Sequence, residues 1–496
     1  MRDDYALPAH RATSLASFCD GSPQIAHAIG ARAAGWGEVD PTNLDGICER
    51  LLTANDTHAK TNIDEQVRVL MALSPFSMFG YRGEWAEEGR RAVSFVALWT
   101  GMEKRQVEER IWDLRRRGLL EGDRFLKIVP ELLHLWLFNQ WVSAHGPCFS
   151  WPSMRDSLNS ANLTRRFFAT LEYATSEYVE DIATEMLGPQ GTCADRHFAT
   201  SEDGLRLLTS LAHNAPVPVL NHIESLMSNP STIEATKRIH VSLALVNILR
   251  LVAKHRDCFH GAVNALATLS RTEEEPHLGN GATETLVGLF SNCPGPLSPS
   301  GASPSVRFPS LQELAFSEDS YKRSLAIRAI GIALDFPQTR LEPYSDSDSL
   351  RDTSAGQWSP ATHEEHVRCY ERVWDLGIQC LDAYEGKLRE ELFRTLVGSM
   401  PGIVFARLIP HEEWRDWFYQ LIKRAKPEPG KALQHHHAYD FAQALKDAMR
   451  CHRRTSVDVV EQALQSSALH SHGVSHEHAT CAAAQTHAVQ AMLPTA

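Results

Sequence analysis

Along most of the chain apolar residues recur every three to four positions, the period of an amphipathic helix. Between residues 62 and 145 this pattern is punctuated in a particular order. Val67, Leu70 and Met71 share one helical face; Ala92, Phe95, Val96 and Trp99 form a second stripe; Val107, Ile111 and Leu114 form a third. The period then changes. Gly118 ends the third helix, Leu119–Leu120 starts a strand, Gly122–Asp123 turns, and 125–129 returns. That run predicts a β-hairpin. Three helices followed by a hairpin is the order of a winged helix. An aromatic-rich helix over 131–142 follows.

From 146 to 292 the pattern is helical throughout, in short runs separated by Pro, Asn or Gly, such as GLRLLTSLAHNA and RIHVSLALVNILRLVAKH. Short adjacent helix pairs bury faces that one pair cannot, which predicts an irregular helical-repeat array without a fixed period. The prolines of 293–310 predict a linker with no regular helix. Helical pattern resumes over 311–344, a polar linker occupies 345–360, and helices return over 361–454. The His/Ala/Ser-rich stretch 455–496 has little to pack and is expected to be largely disordered. The first segment, 1–61, reads as a small helical region broken at Gly21 and Pro23. The fold expected is mainly α, with one β-hairpin.

At 496 residues the chain has room for about three domains. Its composition, 43% hydrophobic and 22% charged, is that of a globular protein and excludes a wholly disordered or collagen-like chain. Forty-nine Lys+Arg against 61 Asp+Glu leaves a net charge of −12, which excludes a general nucleic-acid coat while leaving room for one basic face. Neither a signal peptide nor a run long and apolar enough to span a bilayer is present. Ten cysteines without a CxxC pair read as reduced thiols, pointing to the cytoplasm.

Two stretches, CDGSPQIAHAIG (19–30) and RRRGLLEGDRFLKIVPELLHLWL (115–137), together resemble the C-terminal part of bacterial STAND NTPases, the NACHT and NB-ARC signalling ATPases. The resemblance implies a helical lid with a G-x-P element near adenine, here Gly21, Ser22 and Pro23. It further implies a winged helix that holds the resting state, and a HEAT-like sensor that recognises a protein ligand, with phage defence among the roles of such proteins. The departure is large. No G-x-x-x-x-G-K-[ST] loop is found to cradle phosphates, nor an acidic strand end to hold Mg²⁺. The chain starts where the nucleotide core of the family would end, so that core is expected to be lost, separately encoded, or cut off by a misplaced start. The expectation is a non-catalytic sensor, with no cofactor of its own and with ATP or ADP bound only when a nucleotide-binding partner domain is supplied.

The alternative is a DNA-binding regulator. Helix 103–117 carries Lys104, Arg105, Arg110, Arg115, Arg116 and Arg117, which in a groove-reading helix would meet phosphates. Glu103, Glu108, Glu109 and Asp113 are mixed among them, and cations in a last turn also favour the helix dipole. The histidine clusters, His435–His437 and His470, His472, His476, His478 and His487 with Cys481, match no structural zinc spacing and read as solvated tail. His363 and His366 around two glutamates lack the spacing of a metalloprotease helix and read as a solvated first turn. The tryptophans of the 62–145 region read as core.

Overall fold

The computed structural model describes residues 60–273, 281–295, 298–335 and 358–406, with Leu52, Asp416, Trp417, Gln420, Leu421 and Arg424. The segment around Gly21–Pro23 and both histidine clusters after residue 430 lie outside the described residues. Among the described residues the protein is mainly α, with 18 α-helices and one three-stranded sheet, and no helix is long and apolar enough to cross a membrane. The described residues fall into two compact units, one built mostly of residues 60–289, the other of described residues in 290–299, 304–335 and 359–424.

The first unit opens with α1 (Lys60–Leu73), β1 (Phe79–Gly80), α2 (Ala86–Thr100), α3 (Lys104–Arg116), β2 (Leu120–Glu121), β3 (Phe125–Ile128) and α4 (Glu131–His145). The sheet is antiparallel in the order β1-β3-β2, with Leu120 opposite Ile128 and Phe79 opposite Leu126. The hairpin and three helices follow the apolar period, and α3 starts with a reciprocal cap in which Gln106 accepts from the backbone of Glu103. The strand β1 was not legible, because two residues show no alternation. It exists by close approach: a Cβ on Gly80 would sit 2.6 Å from Cβ of Trp85, and Tyr81 N–H donates to the Arg124 carbonyl at 2.7 Å. Val107, Ile111, Leu114, Leu126, Leu133 and Leu137 form a core with no exposed surface.

After α5 (Trp151–Leu158) the chain builds two layers of helices. One layer is α6 (Ala161–Thr170), α9 (Glu202–Leu211) and α12 (Ile239–Val252); the other is α7 (Val179–Leu187), α10 (Pro216–Met227) and α13 (Phe259–Ser270). Each helix packs on the next of its own layer, and α12 also packs on α13. The short helices α8 (Arg196–Ala199) and α11 (Pro230–Thr236) connect the pairs, and α14 (Ala282–Gly288) closes the stack against α13. Equivalent helices start about 40 residues apart, a repeat length that uneven connections conceal in the sequence.

The second unit contains α15 (Pro304–Ala315), α16 (Ser320–Leu334), α17 (His363–Ala383) and α18 (Gly386–Ala406). Here α15 corrects the expectation of a linker without helix up to 310. Pro304 opens the helix, where its missing N–H would be unpaired anyway. Pro309, deeper in, removes one intrahelical bond, and burial of Leu311, Leu314 and Ala315 outweighs that loss. His366 is a further correction: it is buried, with Nε2 3.1 Å from the Asn292 carbonyl, so the turn is solvated only at His363 and Glu364.

Candidate functional site

The basic helix α3 turns most of its cations inward or onto its own neighbours. Arg110 pairs with Glu65 and Asp113, each at 3.0 Å. Arg115 donates to the Gly122 carbonyl at 3.0 Å and lies 5.5 Å above the Tyr81 ring. Arg117 donates to the Gln66 side chain and, at 2.5 Å, to the Leu52 carbonyl. That leaves Lys104, Arg105 and Arg116 exposed; Arg105 pairs with Glu109 at 3.1 Å, and Arg116 stacks 4.7 Å over Trp112. Trp112 is 54% exposed, so of the tryptophans read as core this one is a surface residue; Trp141 is fully buried.

A structural role for Arg117 predicts an asymmetric mutational result. Arg117→Ala removes the donor to buried Gln66 and to Leu52 and is expected to cost about 2 kcal/mol in urea denaturation. Arg116→Ala should stay within about 0.5 kcal/mol. Equal stability of the two variants would remove the distinction.

Sequence reasoning missed the junction between the hairpin module and the stack. Glu88, third residue of α2, is buried; its Oε1 accepts from Gly80 N–H at 2.7 Å and from Arg166 Nε on α6 at 2.8 Å. The Arg166 guanidinium also lies 5.3 Å over the Phe125 ring. No local pattern marks this pair, because its members are 78 residues apart. Beside it runs a file of aromatic rings, Phe76–Phe95–Trp99–Trp141–Phe167, with centroids 5.1, 5.5, 5.4 and 6.0 Å apart. Such contacts fix ring orientation as well as burying area. The hairpin module and the first helices of the stack therefore share one core.

Burial favours the neutral form of the histidines and cysteines inside the protein. The His134 imidazole is pulled down to about 4, and His145, His222, His255 and His366 shift the same way. The Cys258 thiol is pushed up to about 11 and that of Cys193 to about 12, the opposite of an activated nucleophile. In the second unit, Asn292, Arg307, Cys369 and Arg372 help to line a cavity of about 30 Å³, which holds about one water. Burial lowers the Arg307 guanidinium to about 10. Among the described residues no group of three or more His, Cys, Asp or Glu is arranged to hold a metal ion.

The chain matches no protein-family model, no curated protein and no solved structure.

Proposed function

We propose that this chain is the regulatory, ligand-sensing portion of a STAND-type signalling protein. In this reading residues 60–128 are a winged-helix-like module, and 161–270 are a HEAT-like array that recognises a protein ligand. The observation that carries it is the two-layer stack joined through a continuous core to a helix–strand–helix–helix–strand–strand module whose sheet order is β1-β3-β2. Stacked helix pairs present broad outer faces, the kind of surface that repeat proteins use for recognition. Ligand binding acts on signalling only through different affinity for two arrangements of the whole assembly. The chemistry belongs to a nucleotide-binding domain supplied by a partner; phage defence enters only through the family resemblance.

The test is crosslinking of tagged full-length chain in its own cells, with the crosslinked residues located by mass spectrometry. One protein partner whose crosslinks cluster in 161–270 is the expected result. A partner joined only to 60–145, or rapid ATP hydrolysis by the pure chain, overturns the reading.

The exposed Lys104, Arg105 and Arg116 favour DNA binding as a second reading. It predicts duplex binding that weakens steeply with salt. The sensor reading expects no shift in duplex anisotropy even at low salt.

A further inference from the structure

One cation interrupts the apolar stripe of α15. Arg307, Phe308 and Leu311 lie on one face of that helix, and Arg307 is only 2% exposed. The face packs on α17, where Cys369, Arg372 and Val373 form the matching stripe. Between the two stripes lies the cavity of about 30 Å³, which all six residues line. Its lining holds two guanidinium groups and no carboxylate.

Both cations are held in place. Arg307 donates to the Ser291 carbonyl at 2.5 Å, and it stays charged at neutral pH although burial lowers it to about 10. The exposed Arg372 lies 4.4 Å over the Phe308 ring and makes no ion pair with a described residue. The remaining polar groups of the lining are committed elsewhere. The Asn292 amide donates to the Ala333 carbonyl at 3.0 Å, and the Cys369 thiol donates to the Glu365 carbonyl at 3.2 Å. Burial pushes that thiol up to about 11, so the sulfur brings no negative charge. Two fixed positive charges therefore border one small space, one at its buried end and one at its exposed rim. Its other walls are the apolar side chains of Phe308, Leu311 and Val373. Weakly polar walls screen charge poorly and strengthen the attraction for an anion. Room for about one water suits a single-atom anion, whereas a tetrahedral phosphate or sulfate is too large.

We propose that the groove between α15 and α17 is a binding site for one small monovalent anion of the size of chloride, held between Arg307 and Arg372. The anion offsets the burial of the inner guanidinium and accepts charge-assisted hydrogen bonds from both helices. Its occupancy clamps α15 to α17 and makes the stability of the second unit depend on the halide present. This property is independent of the sensor reading, which concerns the first unit.

The experiment uses the full chain in sodium gluconate, with chloride added at constant ionic strength. Line broadening in the chlorine NMR signal should saturate, as expected for a single exchanging site. Arg307→Met and Arg372→Gln should each weaken binding about tenfold, because each removes one of two charge-assisted partners. Arg116→Gln, on α3, should change it less than about twofold. The methionine takes the place of a buried charge with an apolar chain, and the glutamine stands at the exposed rim, where the fold does not depend on it. In a second measurement, amide hydrogen exchange within α15 and α17 should slow about threefold in about 200 mM chloride relative to gluconate. Exchange within α6, α9 and α12 should not change. Absence of saturable broadening overturns the proposal, as does equal weakening by Arg116→Gln. Slowing that extends to α6, α9 and α12, or that persists in both Arg307→Met and Arg372→Gln, marks a general salt effect and overturns it as well.

Discussion

Replacing Arg166 with leucine is expected to lower the unfolding free energy of the full chain by about 3 kcal/mol, read as a shift of the first urea transition in tryptophan fluorescence. The cause lies less in the lost attraction than in what remains. Glu88 has a side chain only 4% exposed, and without Arg166 its carboxylate keeps one donor, the Gly80 N–H. The other oxygen, Oε2, is already buried without a hydrogen-bond partner among the described residues. An uncompensated buried charge is the costly state, whereas a neutral group of the same shape is not. Glu88→Gln should therefore cost less, about 1 kcal/mol, because the amide oxygen still accepts from Gly80 and Arg166, 20% exposed, can turn to water. Adding Glu88→Gln to Arg166→Leu should restore most of the loss. If Arg166→Leu alone falls within about 0.5 kcal/mol of the parent, the junction is held by the aromatic file and not by the ion pair.

The same residues show which features the linear pattern carried. The stripe Val107, Ile111 and Leu114 announced α3, and Gly118 ended it with a φ of +71°, a conformation that glycine adopts without strain. Those signals are local and depend on the period of one element. The inward commitment of Arg110, Arg115 and Arg117 was not visible, because their partners Glu65, Gly122 and Gln66 come from other elements. Composition alone made the helix look like a phosphate-binding face. Trp112 failed for the complementary reason: its helical spacing said core, but Val107, Ile111 and Leu114 already fill the buried stripe, which leaves it outside on Arg116. At α15 a rule of local chemistry was overridden by packing, since one proline in the second turn removes one bond while a whole apolar face is buried. The repeat length stayed hidden because the connections that carry α8 and α11 differ in length, so the register slips between pairs even though the layers align in space.

Histidine burial leads to a stability that falls with acidity well above the carboxylate range. The His134 Nε2 lies 2.9 Å from the Ser74 carbonyl, which can only accept, so the neutral ring carries its proton on Nε2. A second proton would have to enter at Nδ1, inside the core between α1 and α4. Burial accordingly draws the folded-state pKa from 6.5 to about 4, with the Ser74 bond opposing it. The unfolded chain then takes up the proton first. Stability is complete above pH 6.5 and is lost as pH falls from there toward 4, by up to about 3 kcal/mol from His134 alone. His145, held edge-on to Trp99 at 4.6 Å, and His222, His255 and His366 are shifted in the same direction and steepen the loss. Asp382, which Arg424 holds below its ordinary 3.8, loses its contribution only at lower pH, so the window from 6.5 to 5 belongs to the histidines. Urea denaturation at pH 7.5, 6.0 and 5.0 should show falling midpoints. His134→Gln keeps a donor for Ser74 but cannot titrate, and it should flatten that fall by close to one proton. An identical slope in this variant would mean that the imidazole already meets solvent, and that the contact between α1 and α4 is looser than a 2.9 Å bond in a closed core requires.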